Sequence, residues 1–398
     1  MQVGIRRNLL RPRSEGRHER VGFIELFFDL VFVFAVTQVS HALIEHPDPV
    51  GFLQAGMLFV ALWWVWVDTA WVTNWLDVRH MPVRLLLIVL MATGMLMAIS
   101  LPEAFRERGL VFAITYVVTQ IGRNLFMILA LRHHNRDNHL NFIRIFLWSL
   151  AEAPFWIAGA LVEDAGQRMA LWAIGLAIVS TGPIAAFWVP GLGRSDTATW
   201  DVEGHHFSER CGLFIIIALG ESILITGATF AETEWALPVV VAFAAAFVGT
   251  VAMWWLYFDT GATRAARLLA QDKDPGRMAR LAYTYFHIPI VAGIIVTAAS
   301  DEMALAHPTG HAGAAEVAAL IGGPALYLFG NLIFKRTSGS EYFPLSHIVG
   351  LCLLGAMVLP ATRLSPAVIS LAVTAILVIV AVWELISLRE TRAELQSE

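Results

Sequence analysis

Charge is what this sequence has least of. Asp, Glu, Lys and Arg make up 15% of its 398 residues, where a soluble protein carries roughly 25%, and hydrophobic residues reach 57%. A soluble multidomain protein is therefore the weaker reading. Cysteine is nearly absent. Cys211 and Cys352 cannot build a disulfide framework, and both fall in or beside apolar segments, where small buried hydrophobes are expected. Also missing are a phosphate loop, a dinucleotide fingerprint, a metalloprotease helix and a Gly-x-Ser-x-Gly elbow. No cofactor is expected, and an enzyme is the less favoured class. The segment His133-His134-Asn135-Arg136-Asp137-Asn138-His139 has metal-binding residue types, but it reads as a solvated loop.

What the chain has in abundance is long apolar runs of about 20 residues, the length that spans a bilayer. They fall at 22–44, 50–73, 83–101, 109–131, 142–162 and 168–189, then at 206–230, 236–259, 279–300, 315–334, 343–360 and 366–387. The runs are continuous and too long for barrel strands, so helices are expected. The predicted fold is an all-α membrane protein of about 12 transmembrane helices.

Charge placement sets the direction of these spans. With the N-terminus in the cytoplasm, all but five of the 27 Lys and Arg fall on the inner side. The exceptions are Arg106, Arg108, Arg168 and Arg363 outside and Arg123 within a span. This is the bias of the positive-inside rule, and it puts both termini in the cytoplasm. The basic N-terminal residues (Arg6, Arg7, Arg11, Arg13, Arg17 and Arg20) are not followed by a small-residue cleavage site. They read as a retained cytoplasmic anchor. Basic residues track the membrane surface throughout, so nucleic acid is not an expected partner.

The spans also repeat. Trp63-Trp64-Val65-Trp66-Val67-Asp68-Thr69 matches Trp254-Trp255-Leu256-Tyr257-Phe258-Asp259-Thr260, each run closing an apolar segment with an acid. Phe23 and Glu25 open the first span as Phe207 and Glu209 open the seventh, and Gly122-Arg123-Asn124-Leu125 echoes Gly330-Asn331-Leu332. Six spans return the chain to its starting side, so two parallel six-helix repeats are expected. The organisation is a basic segment 1–21, a repeat 22–189, a linker 190–205, a repeat 206–387 and a tail 388–398.

Ionisable residues within spans are the functional candidates. Glu25 and Asp29 lie four apart on one face of the first helix. Asp68 and Arg123 approach from the second and fourth, and the four are expected to form one charge-neutralising network or part of an ion path. Two or three acids against one Arg leave negative charge over. Glu221, flanked by Gly220 and Ser222, lies near the midplane, where the first half has Thr37 or Gln38. It is expected to carry a proton or bind a cation, or to be a neutral structural Glu. Glu152 and His347 rank second at similar depth, while Glu209 and Arg210 are expected near the inner surface in structural roles. Trp64, Asp68, Trp71 and Trp75 share a helix face, most simply an interfacial aromatic belt. Asp68 and Asp259, both expected near the cytoplasmic membrane surface, also read as anchors and markers of the duplication.

Two motifs carry a family likeness. Glu25-Leu26-Phe27-Phe28-Asp29-Leu30-Val31-Phe32-Val33-Phe34-Ala35, with Gln38 and His41, resembles a signature of the bacterial low temperature requirement A (LtrA) family. His206-Phe207-Ser208-Glu209-Arg210 and Leu219-Gly220-Glu221-Ser222 resemble its second signature. The resemblance implies a bacterial polytopic membrane protein linked by name to growth in the cold, and it supplies no biochemical activity. It marks Glu25, Asp29, His206, Glu209, Arg210 and Glu221 as motif positions. Phe28-Asp29-Leu30-Val31-Phe32 is also similar to the first-helix Phe-Ser-Asp signature of a potassium-channel family, although the Ser is missing here.

The leading functional expectation is a solute or ion transporter or channel with a pathway between the halves. Its expected partners are membrane lipids and a proton, cation or small solute. The alternatives are a membrane enzyme or lipid-binding protein acting on envelope lipids, and a membrane sensor or scaffold.

Overall fold

Backbone amides in a hydrocarbon layer have no water to bond, so each segment must close its own hydrogen bonds. The computed structural model describes residues 8–12, 20–200, 202–339 and 343–397, and it meets this demand with helices, without a strand among the described residues. The first seven helices are α1 (Phe23–Glu45), α2 (Pro49–Trp75), α3 (Met81–Ser100), α4 (Gly109–Leu131), α5 (Arg136–Leu161), α6 (Ala165–Ile184) and α7 (Gly204–Glu232). They are followed by α8 (Leu237–Phe258), α9 (Gly261–Gln271), α10 (Pro275–Met278), α11 (His287–Ala306), α12 (Ala314–Thr337), α13 (Leu345–Ala361), α14 (Pro366–Ser387) and α15 (Arg389–Ser397). Arg6, Arg7, Arg13 and Arg17 lie outside the described residues.

Local chemistry sets where the helices begin. Asp48 Oδ1 accepts from the Val50 and Gly51 amides at 2.9 and 3.0 Å at the head of α2. Asn135 and Asp164 do the same for α5 and α6, accepting from Asn138 and Gln167. Each cap satisfies amides that the first turn leaves without a carbonyl. The polar residues around His133 thus serve partly to start a helix. Proline, which needs no donor at the first turn, opens α3, α8 and α14. A π-helical stretch, Ala279–Tyr285, precedes α11.

Ten helical segments among the described residues are long and apolar enough to cross a membrane. Twelve spans were expected. The two not among the ten are α6 and the 17-residue α13. At 1.5 Å per residue α13 extends about 26 Å, short of the roughly 30 Å hydrocarbon core. The membrane character is also visible on helix faces. Val83, Leu87, Leu90 and Met97 turn one side of α3 inward, while Leu85, Ile88, Val89 and Leu96 on the other side are exposed. A helix apolar all round with half its surface bare is suited to lipid.

The chain divides into two compact units. One comprises Met1–Val39, Gln54–Arg210 and Asp272–Arg280; the other comprises Ser40–Leu53, Cys211–Gln271 and Leu281–Glu398. In the first unit α3, α4, α5 and α6 pack in sequence order, and in the second α11 packs on α12 and α14 on α8. Glycines let α11 and α12 approach closely. A Cβ on Gly293 would lie 2.4 Å from the Tyr327 amide nitrogen, and one on Gly323 would lie 2.7 Å from that of Thr297. Close backbone approach of this kind replaces the hydrophobic drive that lipid does not provide.

Three expectations are corrected here. The tryptophans of α2 do not form a surface belt: Trp64, Trp71 and Trp75 are buried, with Trp64 Nε1 donating to Ser180 Oγ at 3.0 Å and Trp71 packed on Phe207. A helical stripe fixes only which residues share a face, and here that face turns to protein. Cys211 is buried, but Cys352 is exposed on α13. Asp68 does not end its helix, because α2 runs seven residues further to Trp75, whereas Asp259 is the C-cap of α8.

The glycine contacts give a direct test. Gly293→Ala forces backbone apart and should cost about 1–3 kcal/mol of stability, read as a lower melting temperature in detergent. A Cβ on Gly355 meets nothing within 4 Å, so Gly355→Ala should cost nothing. Equal melting of the two variants would refute the close α11–α12 packing.

Candidate functional site

A carboxylate buried without a counter-charge is costly, and in the first unit most such groups have found one. Arg210 of α7 donates from Nη2 to Asp29 Oδ1 at 2.7 Å, and Trp66 Nε1 donates to the same oxygen at 2.8 Å. Arg210 Nη1 lies 3.4 Å from Glu25 Oε1, and its guanidinium lies 5.8 Å from the centroid of the Trp66 ring. Glu25 also accepts from the Gly22 amide at 2.8 Å, faces His206 Nε2 at 3.0 Å and has Arg11 Nη2 at 3.7 Å. Asn74 Nδ2 approaches His206 Nδ1 at 3.4 Å, and Arg11 Nη2 approaches His206 Nε2 at 3.2 Å. All five ionisable side chains are buried.

A second cluster lies on α2, α4 and α5. Arg123 Nη2 donates to Asp68 Oδ2 at 2.8 Å, and Nη1 donates to the Val65 carbonyl at 3.1 Å. Gln120 bridges the pair, donating to Asp68 and accepting from Arg123. Nearby, Tyr116 donates to Glu152 Oε2 at 3.3 Å, while Glu152 Oε1 is buried without a hydrogen-bond partner. Glu152 is 1% exposed and has no Lys, Arg or His at ion-pair distance among the described residues. It is the span acid of this unit that no cation neutralises.

In the second unit Glu221 is buried on α7, and the next residue, Ser222, shares a hydrogen bond with Thr250 at 3.0 Å. Lys335 donates to Glu384 at 2.6 Å, and His347 Nδ1 lies 3.4 Å from the same carboxylate. Lys335 and Glu384 border a cavity of about 310 Å³ that Arg264, Ser346 and Thr391 also line. Asp259 is held by Arg392 of α15 through a partly exposed pair. The guanidinium's pKa is raised, first by its hydrogen bonds to Asp259 and then by that carboxylate's charge. No group of three His, Cys, Asp or Glu suited to a metal ion occurs among the described residues.

The family model for the bacterial low temperature requirement A protein (LtrA) matches residues 20–382. The chain belongs to the LtrA family. It is 43% identical over 381 residues to an uncharacterized protein, RA0937, of Rhizobium meliloti (strain 1021), covering 94% of this chain and 91% of that one. No solved structure matches the chain.

In this LtrA chain the expected four-residue network separates into two. Glu25 and Asp29 pair with Arg210, His206 and Arg11, while Arg123 serves Asp68. The negative charge left over in the sequence count is met by Arg11 and Arg210, which sequence reading had assigned to the membrane surface. Glu209 is exposed and accepts from the Val21 amide at 3.2 Å. Gln38 is half-buried on α1. Sequence reading missed Arg11, Tyr116, Lys335, Glu384 and Asp301. For Asp301 there was a signal: the helix period runs on through Ser300-Asp301 to Ala306, past the expected end of the span at 300.

A double-mutant cycle tests the first cluster. Arg210→Met leaves Asp29 buried and uncompensated and should cost about 3–5 kcal/mol, whereas Asp29→Leu combined with Arg210→Met should recover most of that loss. Arg392→Ala, at a partly exposed pair, should cost at most about 1 kcal/mol. Additive losses at Asp29 and Arg210 would show that they do not act as a pair.

Proposed function

We propose that this protein is a transporter of the bacterial inner membrane, moving a solute or ion with protonation of a buried acid as the coupled event. Twelve spans in two parallel six-helix repeats, with both termini cytoplasmic, form the framework of this reading. It draws on the sequence echoes and the charge asymmetry.

The observation that carries the reading is Glu152. It lies within a membrane-length helix, faces the Tyr116 hydroxyl, and has no cation of its own beside an Arg123–Asp68 pair that is already satisfied. A carboxyl in that setting is neutral when protonated and costly when not, so its charge responds to the proton supply that reaches it. Pro154, two residues on, removes the helical donor for the carbonyl of Leu150 and loosens α5 at this level. Glu221, buried near the middle of α7, is the matching candidate in the second unit. Transport by an LtrA protein would bear on growth in the cold, as the family name suggests.

A lipid-binding reading draws on a different feature, an apolar groove of about 380 Å³ on α3 and α4 that Leu86, Val89, Val118, Phe126 and Arg123 line. Bound lipid recovered with the protein, without any flux, would favour it.

Purified protein in liposomes loaded with a pH-sensitive dye tests the transport reading, with a panel of ions and small metabolites added outside. The wild type should move protons with at least one member of the panel, and Glu152→Gln and Glu221→Gln should abolish that movement. Cys352→Ser, at an exposed position, should not. Equal flux through the wild type and a Gln variant removes that residue from the mechanism, and no flux with any panel member removes the reading.

A further inference from the structure

Asp301 occupies a different setting from the acids described so far. It lies on α11, is 5% exposed, and its Oδ2 is buried without a hydrogen-bond partner. No Lys, Arg or His stands at ion-pair distance among the described residues. Asp301 lines a cavity of about 10 Å³, enclosed by α8, α11, α12 and α14, with Thr297, Ser300, Ser370 and Thr374. That is room for roughly one water-sized particle.

The hydroxyls around this carboxylate do not neutralise it. Thr297 donates to the Gly293 carbonyl at 2.7 Å, Ser300 to the Thr297 carbonyl at 2.9 Å, and Thr374 to the Ala245 carbonyl at 2.9 Å. With their protons committed to helix carbonyls, these oxygens have only lone pairs left to offer. Leu320 lines the same cavity, and Pro324 has no N–H to give to the Leu320 carbonyl four residues back. Helices α11 and α14 thus bring one carboxyl group and several hydroxyl oxygens around a space of ionic size, with no donor from a basic side chain.

We propose that this cavity is a binding site for a dehydrated monovalent cation of the Na⁺ class, held by the Asp301 carboxylate and the Thr297, Ser300, Ser370 and Thr374 hydroxyl oxygens. All-oxygen ligation selects a hard cation, and a single carboxylate balances one positive charge, where divalent ions recruit more acids. A proton alone would need one acceptor, not oxygens from two helices. The proposal uses neither Glu152 nor Glu221 and does not depend on transport.

The test uses full-length protein in nanodiscs, melted in NaCl titrated against choline chloride at fixed pH and ionic strength. A ligand that binds only the folded state raises the melting temperature as its concentration exceeds the dissociation constant. The wild type should show a saturable rise with Na⁺ and a smaller one with the larger K⁺. Asp301→Asn should lose the Na⁺ response, and Ser370→Ala and Thr374→Val should each raise the half-saturating concentration about tenfold, one ligand's worth. A wild type indifferent to Na⁺ would overturn the proposal and assign the cavity to a proton or a water. So would a response retained in Asp301→Asn. If that variant does not fold, unchanged half-saturation in both hydroxyl variants overturns it equally.

Discussion

An ionised carboxylate inside a membrane helix must be met by a cation, a proton or water, and much of the first unit is arranged around that demand. Glu25, Asp29 and Asp68 each have a guanidinium within 4 Å, from Arg11, Arg210 and Arg123. Arg11 comes from a segment that precedes the first helix, so its position has to be secured separately. The Arg11 amide donates to the Trp75 carbonyl at 2.8 Å and the Asp77 amide to the Leu9 carbonyl at 2.9 Å, a short antiparallel bridge at the end of α2. The Arg11 side chain then reaches the Thr73 carbonyl at 2.9 Å and the Glu25 carboxylate. The basic N-terminal segment therefore supplies one of the buried charges, beyond any role in orienting the chain.

The repeated Trp–Asp motif shows how position alters the solution to one problem. Asp68 lies inside α2, about 10 Å from its end at 1.5 Å per residue, and its partner Arg123 is fully buried. Asp259 caps α8, where water reaches it, and its partner Arg392 comes from the short terminal α15. In α12 the Asn331 amide donates to the Tyr327 carbonyl at 3.1 Å. At a helix end, Asp259 needs no buried guanidinium. Helix α12 makes glycine contacts with α11.

Fold class and family were legible because both are written along one dimension: run length, the rarity of charge within runs, and local motifs. The acids inside the spans could be named for the same reason. Their partners could not. Arg11 sits among basic residues that read as surface charge, Arg210 follows Glu209 at an expected membrane surface, and nothing local distinguishes a guanidinium that turns inward. Lys335 was counted with Arg336 in a loop, yet α12 carries it inside to Glu384. Asp301 was lost at a boundary, since an Asp-Glu pair after an apolar run looks like an exit from the membrane although α11 continues to Ala306. The α2 tryptophans were assigned to the wrong surroundings because helical spacing is the same for a face turned to lipid and a face turned to protein.

The paired and unpaired acids differ in what can change them. Glu25, Asp29 and Asp68 each have an adjacent guanidinium to balance the charge of an ionised carboxyl. Glu152 has only a tyrosine hydroxyl, and a glutamine of nearly the same shape could accept that hydrogen bond without ever carrying charge. A carboxyl adds one property to the site that the amide lacks, the ability to gain and lose a proton. At Asp301 the surroundings offer acceptor oxygens instead of a donor, so a bound cation can supply the neutralisation that the chain does not. The same electrostatic demand, answered from within the chain at Glu25, Asp29 and Asp68, leaves Glu152 and Asp301 answerable from outside it.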